Sequence, residues 1–212
     1  MHSDRQFREN TITQFAGVLA SDAPTPGGGS VAALNGALAA ALLRMVGALT
    51  SGKEKYKEFH SDILEIIVCA EGLQNTLLAG IDEDAEAFNK VSAVFSMPKG
   101  TDEEKAARSS EMQTALKGAT LTPLGTMKAA HACLKLAALA YGKVNTSCMS
   151  DFGSAVLCAM ASVRAAWLNV RINLSGIKDE GFRKKTDFVG REILAESGKL
   201  AEELYNKIEQ AI

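Results

Sequence analysis

Apolar residues along this chain recur at steps of three and four nearly everywhere, the spacing that lines one face of an α-helix. The strict alternation that marks a strand is almost absent. A first helix is predicted after Asn10, with Ile12, Phe15, Val18 and Leu19 on one side. Ser21–Gly29 is predicted as a loop, because Pro24, Pro26 and the glycines Gly27, Gly28 and Gly29 cannot continue a helix. Ser30 is read as the cap of a long Ala-rich helix running to about Thr50. Gly52 breaks that helix, and a basic segment, Lys53–Lys57, leads into the next. Here the seam reads Ile66, Ala70, Leu73, Leu77, Ile81, Asp84, Phe88, Val91, Phe95, and Met97–Gly100 ends it. Thr101 with Glu104 has the form of a capping box and starts another helix. Pro123 is expected to interrupt or kink it, with a further helix from about Leu124 to Tyr141. After a polar loop, Gly142–Ser150, Asp151 opens a helix whose stripe is Val156, Met160, Val163, Trp167, Val170 and Leu174. A break at Ser175–Gly176 precedes a charged C-terminal helix to about Gln210. With no internal repeat and no long linker, residues 1–212 read as one all-α domain, a bundle of long antiparallel helices.

Composition narrows the function classes. The chain has 212 residues, 47% hydrophobic and 23% charged, which excludes disorder and suffices for a continuous core. Lys and Arg number 23 against 25 Asp and Glu, and only 6% of residues are aromatic. A nucleic-acid binder would carry a basic excess and stacking aromatics, so no nucleic-acid partner is expected. Cys69, Cys133, Cys148 and Cys158 form no C-x-x-C pair and read as reduced, mostly core residues of a cytoplasmic protein. The segment Met1–Asn10 is polar and mixed in charge, neither a signal peptide nor an anchor. Val31–Leu49 approaches the length of a membrane span, but Ala and Gly dominate it and Asn35 and Arg44 interrupt it. It reads as a buried helix in close contact with its neighbours, with no membrane partner.

Asp84 is the most informative single residue. It stands where the seam calls for an apolar side chain, whereas Asp82, Glu83 and Glu86 fall off the seam and can be solvated. A carboxylate on a packing face has either a partner or a raised pKa, and either condition makes a candidate general acid/base. The alternative is a seam carboxylate salt-bridged at a helix interface. The loop from Pro26 through Gly27, Gly28, Gly29 and Ser30 would expose backbone N–H groups at a helix start and admit a ligand, or would simply turn between helices. Lys53 and Tyr56 belong to a small basic patch able to hold carboxylates, or to a solvated helix start. Asn169 and Asn173, four apart, can hydrogen-bond a polar heterocycle or a neighbouring helix end. Asp151 is first of all a helix-start residue. Gly47 to Lys53 matches part of a P-loop, but Glu54 stands in place of the Ser/Thr and the preceding segment is helical. His2, His60 and His131 are isolated, so neither a metal site nor a Ser–His–Asp arrangement is proposed.

Read together, these segments resemble the cyclodeaminase/cyclohydrolase family of folate one-carbon enzymes. The matching pieces are 23–31 (APTPGGGSV), 50–56 (TSGKEKY), 81–88 (IDEDAEAF) and 97–108 (MPKGTDEEKAAR), then Asn145 with Ser150–Asp151, and 169–182 (NVRINLSGIKDEGF). They cover nearly the whole chain in order. The resemblance implies an all-α bundle, a homodimer, a tetrahydrofolate substrate, and no metal or separate redox cofactor. It also implies that Asp84 matches the family's catalytic aspartate, that the glycine loop, Asn169 and Asn173 bind the folate, and that Lys53 attracts its glutamate tail. Tyr56, Asn145 and Asp151 enter the substrate-binding set the same way. Glu54 is a departure, since many relatives carry a second basic residue there. The expected activity is methenyltetrahydrofolate cyclohydrolase, favoured because no transferase half accompanies the chain. Formiminotetrahydrofolate cyclodeaminase is the alternative, and a non-catalytic folate-binding module is the reading from a different class. The active reading places Asp84 out of bulk water beside a pterin-sized hollow.

Overall fold

Gly27, in an extended conformation, caps the first long helix, which begins one residue later. The structure, a computed structural model, describes residues 6–212. His2 and the rest of the segment 1–5 lie outside the described residues. The chain runs through α1 (Ile12–Leu19), α2 (Gly28–Thr50), α3 (His60–Phe95), α4 (Asp102–Ala140), α5 (Met149–Leu174) and α6 (Glu180–Glu209). Short 3-10 turns span Phe7–Glu9, Glu54–Phe59 and Thr146–Cys148. No strand occurs among the described residues, as the helical spacing predicts.

Helices α2 to α5 form a four-helix bundle in which each is antiparallel to both neighbours. The register is fixed by close contacts: Gly36 of α2 lies against Leu77 of α3 and Ser162 of α5, and Gly80 of α3 lies against Ala33 and Thr126. The Ser162 hydroxyl donates to the Ala32 carbonyl at 2.6 Å. Small residues at these crossings let the backbones approach, which accounts for the Ala/Gly richness of α2. Its interior face, Ala32, Ala33, Ala37, Ala39, Ala40, Leu43 and Val46, is 3% exposed or less. The apolar stretch 31–49 is therefore a packed helix, with Arg44 paired outward to Glu71 at 2.9 Å. By length and composition α2, the segment 54–95 and the segment 146–174 would each suffice to cross a membrane. Outside the four-helix core, α6 packs on α4 and α5, where Gly190 receives the face of Trp167.

Several local expectations are met for their stated reasons. Thr101 and Glu104 form the capping box at the start of α4, with Glu104 N–H to Thr101 Oγ1 at 3.2 Å. Gly52 and Gly142 take positive φ (77° and 82°) where α2 and α4 end. Others are corrected. Ser30 is the third residue of α2 rather than its cap, and its side chain bonds to α3. On α1 only Phe15 is buried; Ile12 is 90% exposed, because α1 lies at the rim, where one residue per turn reaches the small cluster of Ala33 and Ile81. Asp82 is not solvated: it pairs with Arg8 at 3.4 Å and accepts from the Phe7 N–H, tying the N-terminal segment to α3.

Pro123 does not end a helix. α4 is continuous through it. Proline has no N–H, so the carbonyl four residues back, Ala119, loses its helical donor. Asn173 of α5 supplies the replacement, with Nδ2 to the Ala119 carbonyl at 2.7 Å. Leaving such a buried carbonyl unpaired costs about 1–3 kcal/mol. Asn173→Leu, which keeps the volume and deletes the donor, is expected to lower the melting temperature by several degrees, read by thermal denaturation. An unchanged melting temperature with a KM raised tenfold would assign this side chain to substrate instead.

Helix lengths position the site. At 1.5 Å per residue, α3 and α4 run to roughly 55 Å and α2 to roughly 35 Å, so the α3–α4 hairpin projects past the start of α2. Arg108 ties its tip by donating to the Val94 carbonyl at 3.1 Å.

Candidate active site

Asp84 lies on α3 at the level where α2 begins. Ile81, one turn earlier, is 2% exposed, whereas Phe88 and Phe95, further along the same seam, are 44% and 64% exposed. The seam leaves the core at Asp84 because the covering helix stops at Gly28, not because the periodicity changes. The carboxyl is half-buried and faces the first turn of α2. A Cβ added to Gly29 would fall 2.0 Å from Asp84 Oδ1 and 2.4 Å from its Cγ, so the space of a side chain at position 29 is filled by the carboxyl itself. Ser30 Oγ lies 3.1 Å from Asp84 Oδ2 and 2.9 Å from the Ile81 carbonyl oxygen, and the Ser30 N–H also faces the carboxylate.

Burial raises the pKa of Asp84 above the ordinary carboxylate value, and the two donors of Ser30 oppose that only in part. No charged side chain contributes. The salt-bridged alternative for the seam carboxylate is thus not what the structure contains. Asn169 joins the same group from α5: its amide nitrogen is 3.4 Å from where a Gly28 Cβ would stand, and it donates to its own helix at Ala165. Gly27 faces open space, and Pro26, following a cis peptide, is buried. Pro26, Gly27, Gly28, Gly29, Ser30, Asp84 and Asn169 therefore gather at one end of the bundle. Asn173 reaches the same end with its amide nitrogen committed to α4.

Lys53, Tyr56, Asn145 and Asp151 do not join them. They lie at the far end of α2, about 33 Å away by helical rise. There Asn145 N–H donates to Thr50 Oγ1 at 2.8 Å and its Oδ1 accepts from Ser147, while Tyr56 Oη accepts from the Thr146 N–H at 3.1 Å. Tyr56 is buried, Lys53 is exposed, and Asp151 sits in the first turn of α5, which begins at Met149. Sequence distance hides this division because both ends of an antiparallel bundle are visited alternately.

A hollow of about 550 Å³ opens between the end of α5 and the start of α6. It is lined by Arg171, Arg183 and Lys184 with Glu180 and Asp187, and not by Asp84. Beyond Asp84 the same seam continues as exposed Phe88 and half-buried Val91, which the start of α2 no longer covers. Sequence reasoning missed the cationic hollow, whose residues come from two helices with no shared motif. It also missed a contact among Ser197, His131 and Glu196, with His131 Nδ1 at 2.8 Å from Ser197 Oγ and Nε2 at 3.3 Å from Glu196. Ser197 is 0% exposed, so this is a pin between α4 and α6 rather than a nucleophile. Among the described residues no three His, Cys, Asp or Glu side chains gather as a metal site requires. The four cysteines are free; Cys133 and Cys148 are buried and Cys69 is exposed, and burial pushes the Cys133 thiol up to about 12.

The model of the formiminotransferase-cyclodeaminase family matches residues 11–188. The chain belongs to that family. It is 43% identical over 202 residues to a methenyltetrahydrofolate cyclohydrolase of Methylorubrum extorquens, covering 95% of this chain and 97% of that one. It is 33% identical over 195 residues to the formimidoyltransferase-cyclodeaminase of Gallus gallus, of whose length it spans 36%. Its fold matches the crystal structure of a formiminotetrahydrofolate cyclodeaminase from Thermotoga maritima with a TM-score of 0.81, at 28% identity and over 96% of each chain. A family member's fold thus places Asp84, the glycine turn and Asn169 together at one bundle end.

Proposed function

We propose that the protein is a folate one-carbon enzyme that hydrolyses 5,10-methenyltetrahydrofolate to 10-formyltetrahydrofolate, with Asp84 as the proton acceptor. The observation that carries the chemistry is a carboxyl held half out of water against Ser30, with no cation to neutralise it. The choice of reaction is supported by the 43% identity with a cyclohydrolase over nearly all of both chains. The carbon bridging N5 and N10 of the substrate is part of a cationic amidinium and is already electrophilic, so hydrolysis needs no metal or redox cofactor. The substrate's positive charge favours the ionised form of Asp84 once bound. Water adds its oxygen to the bridging carbon and gives one proton to Asp84. The carbon–N5 bond then breaks, the hydroxyl hydrogen ends on N5, and Asp84 releases its proton to solvent. Positioned proton transfer of this kind contributes about 10²–10⁴-fold in rate. The uncovered apolar side chains of Phe88 and Val91, one and two turns beyond Asp84, suit a flat ring system, and Asn169 with the backbone of Gly27 and Gly28 suits its polar edge.

Deamination of 5-formiminotetrahydrofolate is the second reading, supported by the likeness to cyclodeaminases. In it N10 of the protonated formimino compound attacks the formimino carbon, and Asp84 takes the N10 proton and hands it to the departing nitrogen. The carbon–nitrogen bond breaks to release ammonia and leave the methenyl bridge. Both activities are to be assayed on one preparation, following the loss of methenyltetrahydrofolate absorbance and the release of ammonia. Methenyl decay well above the spontaneous rate, with little ammonia from the formimino compound, is the expected result. The reverse ratio would assign the second reading, and binding without either reaction would leave a folate-binding module.

A homodimer belongs to this proposal. The outward stripe of α2 is apolar along its length, with Leu38, Met45 and Leu49 at 49%, 37% and 47% exposure. A two-fold axis crossing α2 would lay the Lys53–Tyr56 end of one copy beside the Asp84 end of the other. That is how Lys53, Tyr56, Asn145 and Asp151 would share one substrate with Asp84.

A further inference from the structure

We propose that Ser30 is a positioning residue whose hydroxyl, set between the Ile81 carbonyl and the Asp84 carboxyl, lets Asp84 change charge without losing a hydrogen bond. This rests on the reading of Asp84 as proton acceptor. A serine hydroxyl carries one hydrogen and two lone pairs. Two acceptors stand within reach of that single hydrogen, the Ile81 oxygen at 2.9 Å and Asp84 Oδ2 at 3.1 Å. When Asp84 is ionised, the hydrogen points at Oδ2. When Asp84 carries a proton, the acid O–H donates to Ser30 Oγ, and the serine hydrogen turns to Ile81. The exchange needs only rotation of one hydroxyl, with every heavy atom in place. Ser30 is 0% exposed, so its hydroxyl makes these bonds without competition from water at its own oxygen.

The surroundings of Asp84 leave this role to Ser30. From α2 the carboxyl meets Gly29 and Ser30, and α5 contributes the neutral amide of Asn169. On α3 itself Asp82 is engaged by Arg8 and Phe7, and Glu83 and Glu86 are exposed. None of these offers a cation to the ionised form. The Ser30 hydroxyl and N–H are the donors that hold it.

Removing the hydroxyl weakens the charged form, so Asp84 should hold its proton to higher pH. The test is the pH dependence of kcat/KM for methenyltetrahydrofolate hydrolysis in the wild type, Ser30→Ala, Ser30→Thr and Asp84→Asn, with the melting temperature of each variant recorded. A hydrogen bond to a charged group is strong enough to move the acidic limb of Ser30→Ala upward by about one unit, whatever its plateau rate. Ser30→Thr, which keeps the oxygen, should bring the limb back. A limb in Ser30→Ala that coincides with the wild type, with activity lowered equally at every pH, would overturn the proposal and leave the role of Asp84 standing. Wild-type turnover in Asp84→Asn would instead overturn the reading on which it rests. If Ser30→Thr does not fold, the displacement between Ser30→Ala and the wild type decides alone.

Discussion

Replacing Gly29 with alanine is expected to reduce kcat/KM by at least about 100-fold while leaving the protein folded. The new methyl would stand 2.0 Å from Asp84 Oδ1, 2.4 Å from Cγ and 2.7 Å from Oδ2, all far inside van der Waals contact. Either the carboxyl rotates away from Ser30 or the first turn of α2 moves off α3. Both outcomes would shift the proposed proton acceptor away from the bridging carbon, and misplacement by about 1 Å is enough for a 10²-fold loss. Stability should change little, because two effects oppose each other. Alanine favours an α-helix over glycine by about 1 kcal/mol, and position 29 has ordinary helical backbone with no positive φ. Against that stands the strain of crowding, about 1–3 kcal/mol when a core must adjust. Asp84 is half-buried and can swing outward, so the lower part of that range applies. Steady-state kinetics beside a thermal melt checks both halves. Near-normal turnover would mean that the carboxyl can work from a different position.

Much of the arrangement around that glycine is legible in the sequence, and the missing parts share a physical cause. Asp84 is visible because a carboxylate interrupts an apolar period, which is a local signal. The capping box of Thr101 and Glu104 and the turn at Gly52 are equally local. The end of the core along α3 is not: Phe88 and Phe95 keep the seam's period, and only the length of α2 decides that they stand uncovered. Pro123 is the same lesson in reverse. By itself it breaks a helix, and the amide that repairs the ladder comes from Asn173, about 50 residues on. Ser30 illustrates a competition between two good choices, since a serine beside glycines reads as a cap. Here Gly27 takes the cap position, which frees the serine hydroxyl for Ile81 and Asp84. The division of the candidate residues between two ends of the bundle follows from helix direction, which a list of motifs in chain order does not express.

The second large effect concerns Asp84 itself, and it separates function from stability by sign. Its folded-state pKa lies above the ordinary carboxylate value because burial disfavours the charge. At neutral pH the side chain is ionised in the unfolded chain, so keeping it in the fold lowers stability. That penalty fades as pH falls through the folded value toward the unfolded one near 3.8, where both states are protonated. Asp84→Asn removes the charge and keeps the shape. Its melting temperature at neutral pH should equal or exceed that of the wild type, and the gap should close as the solution is acidified. A site that carries strain for chemistry behaves in this way.

The direct measurement is the rate at which the purified Asp84→Asn protein, verified as folded by its melt, clears methenyltetrahydrofolate absorbance beside the wild type at the same pH. A loss of at least about 100-fold, with melting temperature equal to or above the wild type, is expected for a positioned proton acceptor. Turnover within a few-fold of the wild type would contradict it and return Asp84 to a packing role at the mouth of a helical bundle.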